Sequence, residues 1–118
     1  MGQNGLHLVG DSNWVMGNYI GTDATGTNAL GNGQYGIIVL SNSANTLGPG
    51  NVISGNAVSG VLIGDFANNN LVAGNYIGTN INGAGNFGNG GAGISLDAGA
   101  ASNKIGGTAT GAGNFIAH

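Results

Sequence analysis

The side chains of this chain that could do chemistry are few and scattered. Asp11, Asp65 and Asp97 each follow a short aliphatic run, and Asp23 lies in a stretch rich in Gly, Asn, Thr and Ala. Hydrolysis of a glycoside needs two carboxylates flanking the bond. The spacing allows Asp65 and Asp97 to pair if their segments stack, but the expectation is that all three are solvated turn residues that accept bonds from backbone amides. A lyase needs a base with a charge-neutralising cation, and the chain has no Arg and a single Lys, Lys104. His7 and His118 are two lone histidines, expected to be structural rather than metal ligands. The segment ending at Asp97 has the wrong Asp spacing for a calcium-binding nonapeptide repeat and occurs once. The pairs Thr25/Thr27 and Thr108/Thr110 do not recur on one face in every repeat, as an ice-binding surface would demand. The Asn-Gly pairs at Asn4, Asn32, Asn82 and Asn89 read as turns. The chain is therefore expected to be no enzyme, with no catalytic, cofactor-binding or metal-ligating residue.

Composition narrows the partners in the same direction. Charged residues make up 4% of the 118, with a formal net charge of −3. Nucleic-acid binding needs a basic footprint that displaces counterions, and anionic membranes need the same, so neither partner is expected. There is no Cys, hence no disulfide framework and no thiolate metal site. No apolar run approaches the roughly 18 residues of a membrane span, and no signal peptide is recognisable in this chain. The 27 glycines do not imply disorder, because 41% of residues are hydrophobic and recur at fixed places.

That recurrence is the strongest feature. Gly17-Asn18-Tyr19-Ile20-Gly21-Thr22 returns as Gly74-Asn75-Tyr76-Ile77-Gly78-Thr79, 57 positions later. Three short motifs each occur four times. Gly followed by alternating aliphatics begins at Gly5, Gly36, Gly60 and Gly93. Asn, any residue, aliphatic begins at Asn13, Asn45, Asn70 and Asn103. Gly-Asn, a variable residue, then Ile ends at Ile20, Ile53, Ile77 and Ile116. Each motif is too short for a helix and alternates with period two, and Gly and Asn bound each run, so the motifs read as strands between turns.

Strand, turn, strand, turn, strand, turn in a cycle of 24 to 33 residues, counted on the first two motifs, is one coil of a parallel β-solenoid, each coil pairing with the next about 4.8 Å away. The fold class is all-β: a right-handed parallel β-helix of about four coils and three short strands per coil, without caps. One domain spans 1–118, with coils near 5–35, 36–59, 60–92 and 93–118. Sixteen aliphatic side chains should point inward: Leu6, Leu8, Ile37, Val39, Val61, Ile63, Ile94, Leu96, Val15, Leu47, Val72, Ile105, Ile20, Ile53, Ile77 and Ile116. Three columns should point outward, led by His7, Trp14 and Tyr19. Two asparagine columns, Asn13/Asn45/Asn70/Asn103 and Asn18/Asn51/Asn75/Asn114, are expected to be structural ladders at the corners, tolerant of left-handed backbone. Segments 22–34 and 79–91 read as loops leaving one corner of the first and third coils, and 106–112 as a loop at another corner.

These motifs, notably Gly17 through Gly26, Gly50-Asn51-Val52-Ile53-Ser54-Gly55-Asn56 and Ser59-Gly60-Val61-Leu62-Ile63, resemble the right-handed parallel β-helix repeats of pectate-lyase-like superfamily proteins. They are most similar to large repetitive secreted or cell-surface proteins of bacteria. The resemblance covers nearly the whole chain and implies an extracellular or cell-surface location. With the crossover rule for parallel strands, it also implies the right hand. Enzymes of that superfamily act on polysaccharides through clustered carboxylates with Arg or Lys, a constellation for which this sequence has no match.

The ends bear on function. Solenoids cap their end coils to hide core side chains and unpaired backbone, and this sequence shows no such cap. Asn51 to Gly60 is nine positions, and Asn114 through His118, then Met1 to Gly5 of a second copy, is also nine. The join is in register. The expected function is that of a non-catalytic structural module whose partner is itself, stacking end to end as oligomer or filament, with Leu6, Leu8, Phe115 and Ile116 as interface candidates. The alternative is an extracellular carbohydrate-binding or adhesive surface, with Trp14, Tyr19 and Tyr76 as stacking platforms.

Overall fold

The computed structural model describes residues 3–85 and 87–117. His118, and Met1 and Gly2 at the junction expected above, lie outside the described residues. Twelve short parallel strands follow one another: β1 (Leu6–Leu8), β2 (Trp14–Val15), β3 (Tyr19–Ile20), β4 (Ile37–Leu40), β5 (Thr46–Leu47), β6 (Val52–Ile53), β7 (Val61–Gly64), β8 (Leu71–Val72), β9 (Tyr76–Ile77), β10 (Ile94–Leu96), β11 (Lys104–Ile105) and β12 (Phe115–Ile116). Every third strand pairs, giving three sheets in the orders β1-β4-β7-β10, β2-β5-β8-β11 and β3-β6-β9-β12. This is a parallel β-helix of four coils with three strands per coil.

Register follows the motifs residue for residue. Leu6, Ile37, Val61 and Ile94 align, as do Val15, Leu47, Val72 and Ile105, and Ile20, Ile53, Ile77 and Ile116. The core is these stacked aliphatics. Ile37, Val39, Leu47, Ile53, Val61, Ile63, Val72 and Ile77, all in the two middle coils, are wholly excluded from solvent.

The corners hold two conformational solutions. Each asparagine of the first ladder is preceded by a left-handed residue, Ser12, Ala44, Asn69 or Ser102. In three rungs of the second ladder the preceding residue is a left-handed glycine, Gly17, Gly50 or Gly74. The ladder asparagines themselves are not left-handed, so the tolerance of this residue type for that backbone is not used here. The turn is made one residue earlier, so that the Asn enters the strand with its carboxamide free to reach the next coil.

Three outward positions are buried. Ile38 and Leu62, in the column with His7 and Ser95, retain little exposure, and Val52, between Tyr19 and Tyr76, has none. On the third sheet the cause is the long loops. Gly26 lies against the Tyr19 ring and the Ile81 side chain, and Gly83 against Tyr76 and Phe115. The Ile81 N–H donates to Gly26 O at 3.1 Å, tying one loop to the other. Segments 22–34 and 79–91 thus fold back over this sheet, and their return arms pair with the loopless second coil: Ala57 N–H with Asn32 O, and Gly90 N–H with Asn56 O.

Candidate functional site

The asparagine ladders connect the coils and run from the first to the last of them. In the second ladder Asn18, Asn51 and Asn75 donate from the main-chain N–H and from Nδ2 to Oδ1 of the next rung, at 2.9–3.3 Å. In the first ladder Asn45 and Asn70 do the same, and Asn13 uses its main-chain N–H. The remaining amide hydrogen of an interior rung goes to a strand-end carbonyl of the preceding coil, as from Asn51 to Val15 O and from Asn75 to Leu47 O. Among the described residues no buried side-chain nitrogen or oxygen lacks a partner.

A third ladder escaped the sequence reading. Asn32 donates to Asn56 Oδ1, and Asn56 to Asn89 Oδ1, with Asn56 and Asn89 buried. Its signal is an Asn four residues before the glycine that opens each of β4, β7 and β10. Two of its members, Asn32 and Asn89, stand in Asn-Gly pairs, which read as turns.

The end coils differ from each other. In the last coil Leu96, Ile105 and Ile116 are 48%, 38% and 49% exposed. Their register partners one coil earlier, Ile63, Val72 and Ile77, are fully buried. At the other end Leu8, Val15 and Ile20 are nearly covered, Leu6 is half-buried, and a hollow of about 380 Å³ opens among Leu6, Trp14, Val15, Asn18, Tyr19 and Ile20. Of the sequence-derived end candidates, Leu6 and Leu8 lie in the first coil and Ile116 in the last. Phe115 points outward, its ring 6.3 Å from that of Tyr76.

The three aromatic candidates do not form one platform. Trp14 lies on the outer face of the second sheet, 69% exposed, with its indole N–H donating to Gly48 O at 3.2 Å. It lines a largely apolar groove of about 240 Å³ with Thr46, Pro49, Leu71 and Ala73. Tyr19 belongs to the third sheet and meets Trp14 only at the rim of the end hollow. Tyr76 is two coils further along, half-covered by its loop.

The carboxylates are held by local bonds. Asp11 accepts from the Ser43 N–H at 2.7 Å, and Asp65 from the Ser41 hydroxyl at 2.7 Å. Asp97 lies over Gly64, the residue before Asp65, so the register offsets these two acids along the strand direction. Asp23 organises the first long loop, accepting from the Thr25 hydroxyl and N–H, the Thr27 N–H and Asn28 Nδ2. The side-chain bonds from Thr25 and Asn28 lead in holding its carboxyl well below the usual carboxylate range. Asn80 takes the same place in the second loop, accepting from the Asn82 and Ala84 N–H groups. Among the described residues no group of three His, Asp or Glu gathers to hold a metal ion.

Compared with known proteins, the chain matches no family model, no curated protein and no solved structure.

Proposed function

We propose that this chain is a non-catalytic structural repeat module that associates with copies of itself through its two open coils. The observation that carries the reading is the exposure of Leu96, Ile105 and Ile116 in columns whose interior members are fully buried. Large apolar surface left in water is costly and marks a contact. The fold spans 35 × 32 × 20 Å, its short dimension matching four stacked coils. An ellipse of the two longer axes covers roughly 900 Å², comparable to the ~800 Å² per partner of a stable interface. Its motifs align it with right-handed β-helices of the pectate-lyase-like kind, and by that likeness it works outside a bacterial cell or at its surface.

The test is sedimentation velocity with negative-stain electron microscopy across a concentration series. Species taller than one four-coil unit, growing with concentration, are expected. A monomer at every concentration would overturn the reading.

Carbohydrate binding is the second reading, favoured by one observation: Trp14 stands exposed beside an apolar groove, the arrangement on which sugar rings stack. A glycan array with the wild type and Trp14→Ala tests it, with loss of retention expected for the variant. An array without a binder sinks this reading and leaves the first intact.

A further inference from the structure

We infer that the association is head to tail, the last coil of one copy stacking on the first coil of the next, rather than two-fold symmetric. This rests on the end-to-end association proposed above and adds its direction. The backbone edges do not choose. A sheet edge presents both N–H and C=O groups and can pair with a parallel or an antiparallel neighbour. The carboxamides do choose, because every ladder has the same polarity. In all three, main-chain N–H donates toward the C-terminal coil and Oδ1 accepts from the N-terminal side, in each interior rung.

Across these four coils the ladders therefore present unlike chemistry on the first and the last coil. Among the described residues the main-chain N–H groups of Asn103 and Asn114 have no acceptor, and each Nδ2 has one bond, to Ala67 O and Val72 O respectively. At the opposite face Asn13 and Asn18 Oδ1 receive no donor from the described residues, whereas every later rung of the same ladders receives at least one. Head-to-tail stacking brings two donor-bearing rungs onto two acceptor-bearing rungs. A two-fold contact faces donors with donors or acceptors with acceptors and leaves them unpaired as the interface dries, which is costly. Shape agrees: the donor face carries exposed Leu96, Ile105 and Ile116, and the acceptor face carries the hollow. A heterologous contact of this kind propagates unless its rotation closes a ring.

The chain has no native Cys, so engineered cross-links are unambiguous. His7 and Ser95 occupy one outward column, in the first and last coils. Continuing the register places Ser95 of one copy beside His7 of the next. The single variants H7C and S95C are oxidised alone and as an equal mixture, with association followed in parallel by sedimentation. The expected result is a disulfide heterodimer in the mixture and monomer in each single variant, with a ladder of covalent oligomers from the double variant. Association without a heterodimer overturns the head-to-tail direction while the end-to-end reading stands; absence of association overturns both. Removing the acceptors in N13A/N18A, both exposed positions, should raise the association midpoint by about tenfold or more. An unchanged midpoint, in a variant with wild-type circular dichroism, would overturn the part assigned to the carboxamides.

Discussion

A ladder asparagine works at three distances at once: its own turn, the coil before and the coil after. Asn75 is buried and takes two bonds from Asn51 through a single oxygen. Asn75→Ala would strand those donors in the interior, at roughly 1–3 kcal/mol for each group left unsatisfied. We expect a loss of about 3 kcal/mol, read as a lower urea midpoint. Asn13→Ala, in the exposed first rung, should cost under about 1 kcal/mol. Asp23 makes a different prediction. Its folded pKa is depressed by its bonds to Thr25 and Asn28, so their contribution is present above the unfolded pKa and disappears as pH falls through the lower folded value. Carboxyl-carbon NMR should show Asp23 titrating below the ordinary ~3.9 of a free Asp. Thr25→Ala should move that midpoint upward.

The strands are two to four residues long and no coil could hold together alone, so turns decide the geometry. Gly21 and Gly78, equivalent in the repeated hexapeptide, share a left-handed φ of 89° and 86°. A Cβ at either would overlap a carbonyl oxygen of the following coil, that of Ser54 or Ala117. Gly17 is also left-handed, but nothing lies within 4 Å of where its Cβ would stand. Gly17→Ala should therefore cost only the left-handed penalty, about 1–2 kcal/mol. Gly21→Ala adds a backbone collision and should exceed about 3 kcal/mol. Equilibrium denaturation of the pair separates conformational strain from close approach. If the two variants proved equally stable, the tight packing of coil on coil at this corner would be refuted.

At the scale of the molecule, the surfaces on which the proposed association rests are those of the first and last coils. Stability and the proposed association draw on the same columns, since the aliphatics that hold the coils together continue into the last coil, where they are exposed. Ile77 and Ile116 occupy the same column one coil apart, fully buried and half exposed. Ile116→Asp should keep the fold, judged by circular dichroism, and weaken association well over tenfold, because a charge would have to enter a dry contact. Ile77→Asp should not fold. With only five formally charged side chains in the chain, association should also vary little between low and high salt. A steep salt dependence would point to a contact through other surfaces.

The amino-acid sequence by itself determined the strands, their register and the inward positions of the core, with Leu96, Ile105 and Ile116 of the last coil exposed in the same columns. Backbone pairing between like coils forces equivalent residues into columns, and the period-two alternation assigns their faces. Two asparagine ladders were legible for the same reason, since each Asn has a fixed offset from an aliphatic. The third was hidden because Asn32 and Asn89 sit in Asn-Gly pairs, where a turn is the commoner meaning. Only the tertiary structure decided what lies outside the coil. Val52 is buried because two loops fold back over its sheet and bond to each other, an event between residues far apart in the chain. The direction of the ladders was likewise invisible in composition. An asparagine is both donor and acceptor, and which end faces which neighbour is set by the turn that delivers it to the strand.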